Sequence, residues 1–211
     1  MPQQELDLFD KQVERARDLV GTAAALNASL TGAVDVSDLY RAAYVQAVSA
    51  LDTFIHSDVR ARMLATFPTD SHTQAFDRFR VSLSSVQVAL ATQGDLASQL
   101  NWLDAEIQDQ HSYLSFQQPD KIADAIRLVS NVRLWDALAL SFGQAAMDGE
   151  SGAKILKRRL TLMVDRRNTI VHESDLNPTP PGDQLYPMTR ATAEDAIDFI
   201  ERLVHEIYAL I

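Results

Sequence analysis

The chain has 211 residues, 46% of them hydrophobic, with 29 acidic against 19 basic side chains and a formal net charge of −10. It contains no cysteine, which excludes a disulfide scaffold and thiol-ligated zinc, and its acidity argues against a non-specific nucleic-acid coat, since phosphate neutralisation drives that kind of binding. Seven glycines and seven prolines, gathered in a few clusters, suit a helical globular protein rather than a disordered or fibrous one.

From Gln3 to about Ala28 the apolar residues Leu6, Phe9, Val13, Ala16, Val20 and Ala24 recur at helical spacing. The predicted first helix stops in the stretch Leu26 to Gly32. Its charged face, with Glu14, Arg15, Arg17 and Asp18, leaves open whether it packs on the core or on a partner. Asp35 or Ser37 can cap a second helix carrying Leu39, Tyr44, Val48, Leu51 and Ile55. That helix should end before Phe67-Pro68, because the residue before a proline is pushed out of the α region.

A third helix is expected over Ser71 to Ala91 and a fourth over Asp95 to His111. Pro119 suits the first turn of a short helix reaching Val129, and another short helix covers Leu134 to Ala146. A longer one follows from Ser151 to Val171. The loop Asn177-Pro-Thr-Pro-Pro-Gly-Asp183 forbids regular helix. A last helix begins at Thr192, where Thr-Ala-Glu-Asp195 is close to a capping box, and buries Ile197, Ile200, Leu203, Val204, Ile207 and Ile211. No alternating β-type run and no internal repeat is visible. The expectation is an all-α bundle of about seven to eight helices, with residues 1–211 forming one helical domain and residues 1–30 an additional N-terminal helix.

The N-terminus has no basic n-region or apolar h-region, and no apolar stretch approaches the roughly 20 residues of a membrane span. A cytoplasmic protein with no membrane partner is therefore expected. His56, His72 and His111 are read as ordinary residues, and Trp102 and Trp135 as core or interface aromatics. His111 sits beside Tyr113 and Phe116, but one such cluster does not define an RNA groove. No glycine-rich phosphate loop, His-Glu-x-x-His pair or Gly-x-Ser-x-Gly elbow occurs, so no metal and no cofactor is expected.

The densest basic stretch runs through Lys154, Lys157, Arg158, Arg159, Arg166 and Arg167, with Asp165 its single acid. It reads either as a solvated helix face or as a local anion site. Asn168 and His172, four apart, share a helix face. Arg167 and His172, five apart, diverge by roughly 140° on an ideal helix, so one regular helix does not aim both at one point. Either the helix distorts near its end or a second chain completes the site.

The string Arg167-Asn-Thr-Ile-Val-His172 resembles the signature of the HEPN superfamily. With its flanks, Val164-Asp-Arg-Arg and Glu173-Ser-Asp-Leu-Asn-Pro178, it looks most like the RiboL-PSP-HEPN branch. The segments Leu39-Tyr-Arg-Ala-Ala43 and Val48-Ser-Ala-Leu-Asp-Thr-Phe-Ile-His56 are similar to the first core helix of that branch. The resemblance implies a helical bundle with an HEPN-like core, a homodimer formed through the motif-bearing face, and metal-independent cleavage of RNA in a toxin, phage-defence or RNA-stress role. It would make Arg167, Asn168 and His172 catalytic, Arg166, Lys157 and Arg158 substrate-binding, and Asp165, Glu173 and Asp175 supporting. A cognate antitoxin or regulatory protein would be a further partner.

The chemistry fits these residue types. Imidazole can take a proton from a ribose 2′-hydroxyl or give one to the leaving 5′-oxygen, and a guanidinium can stabilise the charge of the transition state. Two further readings stay open. His172 can be a capping cation at a helix C-terminus, with Arg166 and Arg167 pairing Asp165, Glu173 or Asp175 as a structural network. Alternatively the chain is a non-catalytic HEPN interaction module that binds a partner protein or a nucleotide.

Overall fold

The computed structural model describes residues 2–30, 34–91, 96–177 and 184–211; most of the proline loop, the start expected for the fourth helix and part of the first break lie outside them. Among the described residues the chain forms nine α-helices and no strand, with isolated bridges pairing Met147 with Glu150 and Leu176 with Leu185. The expected all-α bundle is therefore present, with one helix more than the sequence suggested.

The long helices α1 (Pro2–Ser29), α2 (Ser37–Thr66) and α9 (Arg190–Leu210) pack on one another and carry the centre of the core. On α1 the buried stripe is Leu6, Phe9, Val13, Ala16, Val20 and Ala23, one position off the expected Ala24 at its end. Phe9 meets Phe54 of α2 edge-on at 5.6 Å. On the charged side, Arg17 bridges to Asp198 at 2.8 Å and Glu201 at 2.6 Å on α9. The first helix thus covers the core of its own chain. At the start of α2, the Asp35 carboxylate accepts from Ser37 N at 2.8 Å, satisfying one of the amides a helix start leaves bare.

The expected third helix is broken in two, α3 (Gln74–Asp77) and α4 (Leu83–Ala91). Thr73 Oγ1 caps α3 by accepting from Phe76 N at 3.0 Å. Ser82 then restarts the helix: its amide donates to Glu106 Oε1 at 3.0 Å and its hydroxyl accepts from Ser85 N at 3.2 Å. Glu106 lies on α5 (Leu96–His111), and hydrogen bonds from Ser85, Gln110 and Ser82 pull its carboxyl down to about 2. A partner more than twenty positions away therefore decides a boundary that local pattern placed inside a helix.

The chain continues through α6 (Pro119–Arg127) and α7 (Leu134–Ser141) to the motif helix α8 (Gly152–His172). α7 is shorter than expected because Phe142 caps it and Gly143 turns left-handed at φ 63°. α9 begins nearly one turn earlier than expected, capped by Thr189, whose hydroxyl accepts from Thr192 N at 3.1 Å. α8 packs against α7, α2 and α6. Its first residue, Gly152, sits so close to the α7–α8 connection that a Cβ there would lie 2.0 Å from the Gln144 carbonyl oxygen.

Gly152→Ala is expected to destabilise the protein by about 1–3 kcal/mol, as overpacking does, read as a lower denaturant midpoint at unchanged slope. His111 makes a second test. It is buried among His56, Phe79 and Phe116, with Nδ1 unpartnered among the described residues, and burial, with the nearby His56, pushes its imidazole down to about 4. The folded protein resists protonation that the unfolded chain accepts below about 6.5, so stability should fall as pH drops from about 6.5 towards 4. In His111→Phe the fall in Tm over that window should be smaller by the share of one proton.

Candidate functional site

Two faces of α8 do different jobs. Leu156, Leu160, Met163 and Val164 are buried in the core. Tyr44 donates to the Met163 carbonyl at 3.3 Å from α2, and burial pushes its phenol up to about 12. The helix starts at Ser151, whose hydroxyl accepts from Lys154 N at 3.3 Å.

Around the other face, the basic stretch is largely neutralised by carboxylates. Lys154 pairs with Glu150 at 3.1 Å and Arg158 with the same carboxylate at 2.6 Å. Lys157 reaches Asp120 of α6 at 2.9 Å, and Arg159 reaches Asp195 of α9 at 2.7 Å while stacking on Phe199. Such exposed pairs contribute little stability, but three carboxylates against four cations reduce the cationic field that a bare stretch would project. Lys157 and Arg158, expected to hold substrate, already hold acids of their own chain.

Arg166 is committed differently. The chain leaves α8 at Glu173 and passes through two successive non-glycine residues in the left-handed region, Ser174 at φ 54° and Asp175 at φ 59°. That conformation costs of order 1–3 kcal/mol per residue. It returns the Asp175 side chain, 1% exposed, beneath α2 and α8. There Arg41 Nε donates to Asp175 Oδ2 at 2.6 Å and Arg166 Nη2 donates to the same oxygen at 2.9 Å. Arg166 Nη1 faces Oδ1 at 2.8 Å, outside hydrogen-bond alignment.

The Tyr186 carbonyl accepts from Arg41 Nη2 at 2.8 Å, and the Tyr186 ring lies under the Arg166 guanidinium at 4.8 Å. Asp175 closes the turn through its backbone, its amide donating to the Thr169 carbonyl at 3.1 Å and its carbonyl accepting from Tyr186 N at 2.9 Å. Arg41, Asp175 and Arg166 thus form a clamp joining α2, α8 and the segment leading to α9. Arg41 and Tyr186 were not singled out from the sequence. Arg41 lay unmarked in the segment Leu39 to Ala43, and a buried arginine facing α8 is visible only once α2 is placed.

Arg167 is the exception on the helix. Among the described residues its one polar partner is Asn168, whose Oδ1 accepts from Nη1 at 3.1 Å, and its Nε is buried with no partner among them. Of the six basic side chains in α8's basic stretch it is the one without a carboxylate partner among the described residues. Arg167 and Asn168 line a cleft of about 530 Å³ whose other wall is the α5–α6 connection, including Tyr113 and Gln118, with Lys121 of α6. His172, the last residue of α8, is exposed and has no hydrogen-bond or ion-pair partner among the described residues. It does not line that cleft. The divergence expected from the five-residue spacing is therefore present: the regular helix continues to His172, and one chain does not bring Arg167 and His172 to one point. Asp165 and Glu173 are exposed and unpaired among the described residues.

Among the described residues no group of three or more His, Asp or Glu side chains is arranged to hold a metal ion, and no helix is long and apolar enough to cross a membrane. No family model, no curated protein and no solved structure matches the chain.

Removing the clamp's centre should unfold more than it inactivates. Asp175→Ala leaves two arginines facing each other and is expected to cost about 3–5 kcal/mol, as does breaking a buried ion pair. Exposed Asp165→Ala and Glu173→Ala should stay within about 0.5 kcal/mol of the parent. Equal urea midpoints for all three variants would refute the clamp.

Proposed function

We propose that the chain is a metal-independent endoribonuclease of the HEPN type, with an active site completed by a second copy across the motif-bearing face. The observation that carries this reading is the selective freedom of Arg167. Five of the six cations in the basic stretch pair with carboxylates, Glu150 taking two of them, and Arg167, within the Arg167-Asn168…His172 string, lines a cleft and has no carboxylate among the described residues. A phosphate oxygen is the natural complement of a guanidinium without a carboxylate.

In the proposed reaction one His172 takes the proton of a ribose 2′-hydroxyl. The 2′-oxygen then attacks the adjacent phosphorus, a 2′,3′-cyclic phosphate forms, and the bond to the 5′-oxygen breaks. A second His172, from the other copy, gives that oxygen its proton. Arg167 holds the non-bridging oxygens as their charge grows, and Asn168, tied to Arg167, keeps the guanidinium aimed. A toxin, phage-defence or RNA-stress role follows from such an activity, with a cognate antitoxin or regulatory protein restraining it. The reading as a non-catalytic module that binds a partner protein or nucleotide draws support from the neutralised basic face.

Incubating the purified protein with total RNA and tRNA in EDTA separates the two. The nuclease yields fragments ending in 2′,3′-cyclic phosphate, and Arg167→Ala and His172→Ala each lose at least about a hundredfold in rate. Cleavage undiminished in either variant sinks the assignment.

A further inference from the structure

The cleft that receives Arg167 has a composition unlike the rest of this acidic chain. Its lining carries Lys121 and Arg167 and no carboxylate. The larger cleft of about 730 Å³ between α6, α7 and the start of α8 is lined by Asp120, Asp124 and Asp136 as well as basic residues. Lys121 is exposed and has no carboxylate partner among the described residues.

Tyr113 stands on the same wall, 85% exposed, its ring and hydroxyl without a partner among the described residues. The other four tyrosines are all engaged. Tyr40 and Tyr44 are buried, Tyr186 lies under Arg166, and Tyr208 lies under Arg62 with its hydroxyl on Gln3. The side chains of Gln118 and Asn168 add carboxamides to the lining, and Val164 gives it an apolar floor.

We infer that this cleft is a subsite for one unpaired nucleotide of a single-stranded RNA, its base stacked on Tyr113 and its phosphate held between Lys121 and Arg167. The inference rests on the nuclease reading for its substrate class and adds the residues that select the strand. A bare aromatic ring offers the π-face that every base can use, and two uncompensated cations offer the charge that a phosphate requires. The volume falls within the roughly 300–1,000 Å³ of small-molecule sites. A base still stacked and paired in a duplex cannot reach the ring, so the cleft discriminates single strands from double strands.

The test is equilibrium binding of a fluorescent RNA hexamer whose 2′-hydroxyls are replaced by fluorine, so that no nucleophile remains. Tyr113→Ala should weaken binding about tenfold, and Tyr113→Phe should restore it. Lys121→Ala should weaken binding and lower the salt slope by about one ion. A duplex of the same sequence should bind more weakly than the single strand. Thermal melts check that the variants fold, as expected for exposed positions. Unaltered binding by Tyr113→Ala, equal affinity for the duplex, or no binding by the parent protein each overturns the subsite. His172-dependent cleavage alongside unaltered binding by Tyr113→Ala overturns the subsite and leaves the nuclease standing. Tyr113-dependent binding of RNA that is never cleaved supports the subsite and removes the nuclease.

Discussion

The buried Asp175 carboxylate is the constraint on which the rest of the motif region depends. Two arginines from different helices converge on it, Arg41 at 2.6 Å and Arg166 at 2.9 Å. Arg41 is buried and Arg166 half-buried against it, so removing the carboxylate would leave both guanidinium groups without their partner. Its backbone also has to sit in the left-handed region, next to a serine that does the same. The turn is held because the carboxylate, the Thr169 carbonyl and the Tyr186 amide all fix one residue. The clamp thereby decides where α8 ends, and places His172 on the last helical turn, facing outwards.

A second consequence is the division of labour between adjacent arginines. Arg166 and Arg167 are neighbours on a helix and project about 100° apart. One direction meets the clamp, and the other meets the cleft beside the α5–α6 connection. The acidic excess of the chain is put to use around them. Glu150, Asp120 and Asp195 each neutralise a cation of α8 from a different part of the fold. The anion-binding potential that the basic stretch suggested is thus concentrated at Arg167 rather than spread along the helix.

Much of this architecture was legible in the sequence. Apolar periodicity located α1, α2, α8 and α9, because each buries one stripe against a continuous core. The five-residue interval between Arg167 and His172 correctly announced that the two side chains diverge. What local pattern could not show was pairing over distance. Glu106 of α5 restarts the helix at Ser82, and Asp120 claims Lys157 from 37 positions away. Arg41 meets Asp175 across 134 positions. For the same reason Tyr113 stood out only as part of a cluster with His111 and Phe116. The fold separates that cluster, burying the histidine and the phenylalanine and leaving the tyrosine bare on the wall opposite Arg167.

The separation of Arg167 from His172 bears directly on how a catalytic site would be assembled under the proposed reaction. Distorting the end of α8 to bring them together would work against the Asp175 clamp, which is anchored one turn away through Thr169. Supplying the histidine from a second copy disturbs nothing already built. The side chains of His172, Glu173 and Asp165 are exposed and have no partner among the described residues, and the apolar Leu162 on the same helix is exposed as well. A second copy would bring its own His172 into play and supply a base and an acid at once, roles a single imidazole cannot fill in one step. The rigidity of the clamp therefore favours a site built between subunits over one built within a subunit.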